Sequence, residues 1–98
     1  MSSSVPVAVS VFRDTGASRY EARVDGAVAG TCEYRLEGST ITFTHTVVDP
    51  AFEGRGVGSA LARKALDDAR SDGLRVVADC RFIAAYLQRH AEYSDLLG

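Results

Sequence analysis

Gly54, Gly56 and Gly58 stand on alternate positions directly ahead of a segment rich in alanine and leucine that reads as a helix. Such a loop bares backbone N–H groups at the positive end of a helix dipole, a ready site for a pyrophosphate or another anion. A loop that merely turns into a helix needs fewer glycines. A Walker A loop is excluded because Gly-Lys-Ser/Thr is absent. A dinucleotide fingerprint fails because neither the Gly54 nor the Gly56 frame has Gly or Ala in its last place, and several residues separate Val48 from the glycines. Asp79 lies about 20 residues beyond, where a ribose-binding acid would stand, so a nucleotide reading stays open.

A second chemical candidate is Cys80, which follows the apolar run Val76-Val77-Ala78 and opens the last helical segment next to Arg81. Reactive thiols occur at helix N-termini beside cations, whereas most unpaired cysteines are small buried apolar side chains. Cys32 shares the period-two parity of Tyr34 and Leu36 and reads as structural. The two cysteines and two histidines, at 32, 80, 45 and 90, lack ligand spacing, so no metal is expected.

The elements that must position these residues follow from periodicity. Val7, Val9 and Val11 alternate after a serine-rich stretch, residues 1–6, expected to be frayed. Tyr20, Ala22 and Val24 alternate with charged neighbours, Asp25-Gly26 supplies a hairpin turn, and Val28, Cys32, Tyr34 and Leu36 resume with period two. After Glu37-Gly38-Ser39, Ile41, Phe43, His45 and Val47 share one parity and Thr42, Thr44 and Thr46 the other. His45 is therefore expected on the inward face, half-buried. Asp49-Pro50 stops this strand. Val57, Leu61, Ala65 and Ala69, with Ala62 and Leu66 beside them, predict an amphipathic helix to Arg70, and Gly73 ends it. Val76-Val77-Ala78 predicts a strand covered on both faces, reached by a right-handed parallel crossover. Phe82, Ile83, Tyr86, Leu87 and His90 recur at helical spacing and predict a last helix packed back on the sheet. The fold class is α+β: an antiparallel meander, one parallel β-α-β step and a C-terminal helix, in a single domain over 1–98.

Val47-Val48-Asp49-Pro50, a short loop, and Arg55-Gly56-Val57-Gly58-Ser59 at a helix head together resemble the acyl-CoA motif of the GNAT acetyltransferase superfamily, Q/R-x-x-G-x-G/A. Gly56 and Gly58 take the glycine places and Glu53, a departure, takes that of Q/R. From Tyr20 to Leu97 the chain is similar to a group of small stand-alone GNAT-like proteins, marked here by His45-Thr46, Cys80-Arg81-Phe82, Tyr86 and His90-Ala91-Glu92-Tyr93. In that group Glu often follows His-Thr, where Val47 stands here, and Pro often follows the Cys, where Arg81 stands.

The resemblance implies a minimal GNAT-like fold and transfer of an acetyl group from acetyl-CoA to an amine. Gly54, Arg55, Gly56, Val57, Gly58 and Ser59 would cradle the CoA, and backbone N–H groups of Val47 and Val48 would hold the thioester carbonyl. Cys80 would be an acyl-accepting nucleophile, His45 a catalytic candidate, and Tyr86 an acid for the departing thiolate or a core residue. The alternative is a CoA-binding or protein-interaction module without turnover. A usual GNAT chain has two helices between its first strands, where Thr15 to Ser18 stand here. Their absence implies an open site suited to a macromolecular or adaptable amine, or one completed by a second subunit in a homodimer.

Composition agrees with a single small domain: 98 residues, 46% hydrophobic and 24% charged, with 2 Pro. A formal charge of -2 offers no general field for a phosphate backbone, so nucleic acid is not expected as a partner. Met1 to Phe12 lacks the basic start and unbroken apolar run of a signal peptide, and no run nears the roughly 20 residues of a membrane helix. The expectation is a cytoplasmic protein with reduced thiols.

Overall fold

Branched and aromatic side chains at every second position keep the first half of the chain extended, and turn residues fold it back on itself. The computed structural model describes residues 9–97. The expectations on Val7 and on residues 1–6 fall outside that range. Strands β1 (Val9–Asp14), β2 (Arg19–Val24), β3 (Ala27–Glu37) and β4 (Thr40–Val48) form the meander. Asp25 and Gly26 both take positive φ, 51° and 81°, the geometry that matches a two-residue turn to the twist of a hairpin. A single 3-10 turn, Pro50–Phe52, leads to α1 (Val57–Ser71), then β5 (Arg75–Ala78), α2 (Arg81–Arg89) and a closing 3-10 segment, Ala91–Leu97. The sheet order is β1-β2-β3-β4-β5, antiparallel except for the parallel pair β4 and β5.

α1 buries Val57, Leu61, Ala62, Ala65, Leu66 and Ala69 against Tyr20, Ala22, Val24, Cys32, Tyr34, Ile41 and Phe43 of the sheet. α2 adds Ile83, Tyr86 and Leu87 to the same core. Among the described residues the opposite sheet face carries no helix, which corrects the expectation for β5. Val76 is buried, but Val77 is exposed on the open face.

Two bulges overturn the simple parity read along β3 and β4. Opposite Ala22 and Arg23 of β2, β3 places Gly30 and Val28, so Ala29 is the extra residue. It turns inward and Val28 turns out, 46% exposed. Opposite Glu33 and Tyr34 of β3, β4 places His45 and Phe43, so Thr44 is the extra residue. Past it the alternation reverses: Thr46 and Val48 face the helices, whereas His45 and Val47 face away. Leu36, also expected inward, is exposed near the end of its strand.

Candidate functional site

β5 pairs with β4 only as far as Phe43 opposite Ala78. There the chain turns off, with the N–H groups of Asp79 and Cys80 both donating to the Phe43 carbonyl at 3.0 and 3.1 Å. From Thr44 to Val48, β4 pairs only with β3 among the described residues. Peptide groups alternate along a strand, and the Asp49 N–H donates to Ala29 of β3 at 2.8 Å. The N–H groups of Val48 and Thr46 therefore face the open edge, and that of Val47 faces β3.

Next to this edge lies a cleft of about 380 Å³ lined by Thr46, Val48, Phe52, Glu53, Gly54, Gly56, Val57, Gly58, Ser59 and Phe82. Its upper wall is the loop into α1. Gly56 is the N-cap at φ 76°, and it makes no side-chain cap. The helical bond from Ala60 N–H to Gly56 C=O, 2.9 Å, leaves the N–H groups of Val57, Gly58 and Ser59 as the unpaired donors of the first turn. Gly54 also holds a positive φ, 81°. Gly58 has a different reason to be glycine: a Cβ there would come within 2.6 Å of Phe82 Cζ, so the helix head can rest on that ring only without a side chain.

Of the residues expected at the site, Val48, Gly54, Gly56, Val57, Gly58 and Ser59 line the cleft. Arg55 stands at its rim, the guanidinium 5.8 Å from the centre of the Phe52 ring. Val47, expected to act through its backbone, is corrected: its N–H faces β3, and its side chain, 59% exposed, lies on the far face beside Val28 and Thr31. His45, turned by the Thr44 bulge, is corrected as well. It faces away from the cleft, exposed, with Nδ1 3.8 Å from a Glu33 carboxylate oxygen. Tyr86 is buried, its ring stacked 3.8 Å from that of His90, whose Nδ1 lies 2.9 Å from the Tyr86 carbonyl.

Cys80 is the N-cap of α2 and only 7% exposed, in contact with Thr46 of the cleft. Its Sγ is 3.1 Å from Thr46 Oγ1, and the same hydroxyl donates to Cys32 Sγ at 3.6 Å. Burial pushes the Cys32 thiol up to about 11, against a smaller opposing effect of the Thr46 bond. Thr46 and Phe82 are the site residues that sequence reading missed as such. The His45-Thr46 pair marked the place, but the bulge decides that its second member faces the cleft.

The geometry is a helix head with free N–H donors beside an open strand edge, with a thiol and a hydroxyl close by. Among the described residues no group of three or more His, Cys, Asp or Glu is placed to hold a metal, and no helix is long and apolar enough to cross a membrane. No curated protein sequence matches the chain. A GCN5-like protein from Staphylococcus aureus, solved by NMR, superposes with a TM-score of 0.69 at 22% identity, over 94% of this chain and 88% of that one. Rv2747 from Mycobacterium tuberculosis, crystallised with CoA, gives 0.60 at 24% identity over 74% and 49%. The ribosomal-protein-S18-alanine N-acetyltransferase from Escherichia coli gives 0.58 at 20% over 59% and 38%, so the chain spans less than half the length of these two. At such identities the likeness is one of fold. The sequence profile of the GCN5-related N-acetyltransferases matches residues 19–96. With four-fifths of its length under that profile and a glycine loop at a splayed strand edge, the chain belongs to the GCN5-related N-acetyltransferase family.

Proposed function

We propose that the chain is a single acetyl-transfer domain that moves the acetyl group of acetyl-CoA onto an amine. One observation carries this reading: the uncapped N-terminus of α1 and the unpaired edge of β4 open into the same cleft. Backbone N–H groups of Val57, Gly58 and Ser59 fit the pyrophosphate, with Arg55 at the rim. The Val48 N–H fits the thioester carbonyl, where a fixed donor favours the oxyanion of the tetrahedral intermediate.

The route divides at Cys80. In direct transfer the amine nitrogen bonds to the acetyl carbon, the carbon–sulfur bond to CoA breaks, and the proton lost by nitrogen is returned through solvent to the CoA thiolate. In transfer through Cys80, its sulfur loses a proton and bonds to the acetyl carbon while the CoA thiolate leaves and is protonated. The amine then displaces Cys80, which regains a proton. The open cleft suits an adaptable or macromolecular amine. Two cysteines left as thiols by the fold suit a reducing compartment, and we place the reaction in the cytosol.

Thermal melts with and without millimolar acetyl-CoA test the binding half. A ligand well above its Kd raises Tm by mass action, and an unmoved Tm overturns the proposal. Release of free CoA with a panel of amines and peptides separates turnover from a module that only binds. Intact mass after incubation with acetyl-CoA decides the route, since an added acetyl group present in wild type and absent in Cys80→Ala marks transfer through Cys80.

A further inference from the structure

Thr46 Oγ1 touches both of the chain's thiols, Cys80 Sγ at 3.1 Å and Cys32 Sγ at 3.6 Å, and lines the cleft itself. Both are free thiols, Cys32 on β3 and Cys80 just past β5, and β4, which carries Thr46, runs between those strands. What the fold builds is a chain of three hydrogen-bonding groups with a hydroxyl in the middle.

We infer that Thr46, backed by Cys32, is a positioning pair that holds the Cys80 sulfur and supports its anion. Thr46 donates to Cys32, so its one hydrogen is occupied, and a neutral Cys80 completes the chain by donating its own to Thr46 Oγ1. Once Cys80 has lost its hydrogen, as in attack on a thioester or on any electrophile, the Thr46 hydroxyl turns to donate to that sulfur. Thr46 Oγ1 then needs a donor behind it, and Cys32 supplies one because its burial keeps it a thiol throughout the neutral range. The reversed chain thus gives the Cys80 sulfur a charge-assisted hydrogen bond, the stronger kind. The catalytic meaning of this pair rests on transfer through Cys80, but the arrangement itself does not.

The test therefore uses iodoacetamide in the absence of acetyl-CoA, with alkylation at Cys80 followed by site-resolved mass spectrometry. Thr46→Val is expected to slow alkylation roughly tenfold or more, Thr46→Ser to restore it to within about threefold, and Cys32→Ala to slow it less than Thr46→Val does. A purely structural role predicts the opposite sign, because looser packing exposes a buried thiol and speeds its reaction. Thr46→Val reacting as fast as wild type or faster, or Thr46→Ser failing to rescue, overturns the inference. Should Thr46→Val not fold, Thr46→Ala carries the same expectation. If instead only the acetyl mass on Cys80 is missing, transfer through Cys80 fails while the positioning pair stands.

Discussion

At its C-terminal end α1 closes on Gly73 in a Schellman pairing, Leu74 N–H to Ala69 C=O at 2.9 Å and Gly73 N–H to Arg70 C=O at 3.2 Å. At its N-terminal end Gly56 contributes no cap at all, and the first turn holds no acidic residue. Acids are favourable at the head of a helix and unfavourable at its tail. In α1 they are all toward the tail, as Asp67 and Asp68, with Asp72 as its C-cap. Each is held there by a donor from another element: Tyr93 Oη on Asp67 at 2.7 Å, Tyr20 Oη on Asp68 at 2.9 Å, and Arg13 on Asp72 at 2.9 Å. The difference shows a division of labour along one helix. The tail fastens the sheet and the closing 3-10 segment, while the head leaves its donors open to the cleft.

The division is broken most forcefully at the tail. Tyr20 is fully buried and bonded to Asp68, so Tyr20→Ala is expected to remove about 3–5 kcal/mol of stability, seen as a lowered urea midpoint. If the two ends are separate in role, saturating acetyl-CoA still stabilises this variant by the same increment as wild type. A lost increment would mean that the tail shapes the cleft.

Alkali should act next. Burial raises the Cys32 thiol from 9.0 to about 11, so the fold favours the protonated form. That contribution is whole below pH 9.0 and is lost as pH rises through about 11, roughly 2–3 kcal/mol in all. Tyr93, raised to about 12 by burial and its bond to Asp67, loses stability in the same direction at higher pH. Denaturation midpoints of wild type and Cys32→Val should diverge in slope between pH 9 and 11, the variant being flatter; parallel slopes would refute the Cys32 share.

Much of this was legible in the sequence, and what was not has a local cause. The hairpin at Asp25-Gly26, the helix from Val57 and its stop at Gly73 each rest on residues whose own conformational preference decides the outcome. Ala29 and Thr44 show no such preference. Each is the extra residue of a bulge fixed by its partner strand, and one residue of slip exchanges the faces of everything beyond it. His45 and Val47 were thereby moved out of the site and Thr46 into it. The glycine loop was legible because positive φ at Gly54 and Gly56 needs glycine, while the contact of Gly58 with Phe82 joins α1 to α2 and is seen only when they pack.

The smaller predictions sharpen the head of the helix. Gly56→Ala meets no atom within 4 Å, so its penalty is conformational, about 1–2 kcal/mol for an L-residue at φ 76°. In contrast to Tyr20→Ala, it should also reduce the stabilisation given by acetyl-CoA, because relaxing φ turns the donors of the first turn. An undiminished increment would show that the loop can relax without disturbing them.

Glu53 gives the smallest effect and the most specific one. It is the charged residue that lines the cleft, and it directly precedes Gly54 of the glycine loop. Exposed like charges about 4 Å apart repel by roughly 1 kcal/mol in water, so Glu53→Gln is expected to tighten acetyl-CoA binding about two- to fivefold. Because the effect is electrostatic, the gap between wild type and variant should narrow as salt is raised from about 0.01 M to 1 M, over which screening shortens from roughly 30 to 3 Å. Equal affinities at low salt would place the phosphates away from Glu53 and leave the N–H groups of α1 without the anion assigned to them. A gap that persists in high salt would instead assign the gain to shape at the loop rather than to charge.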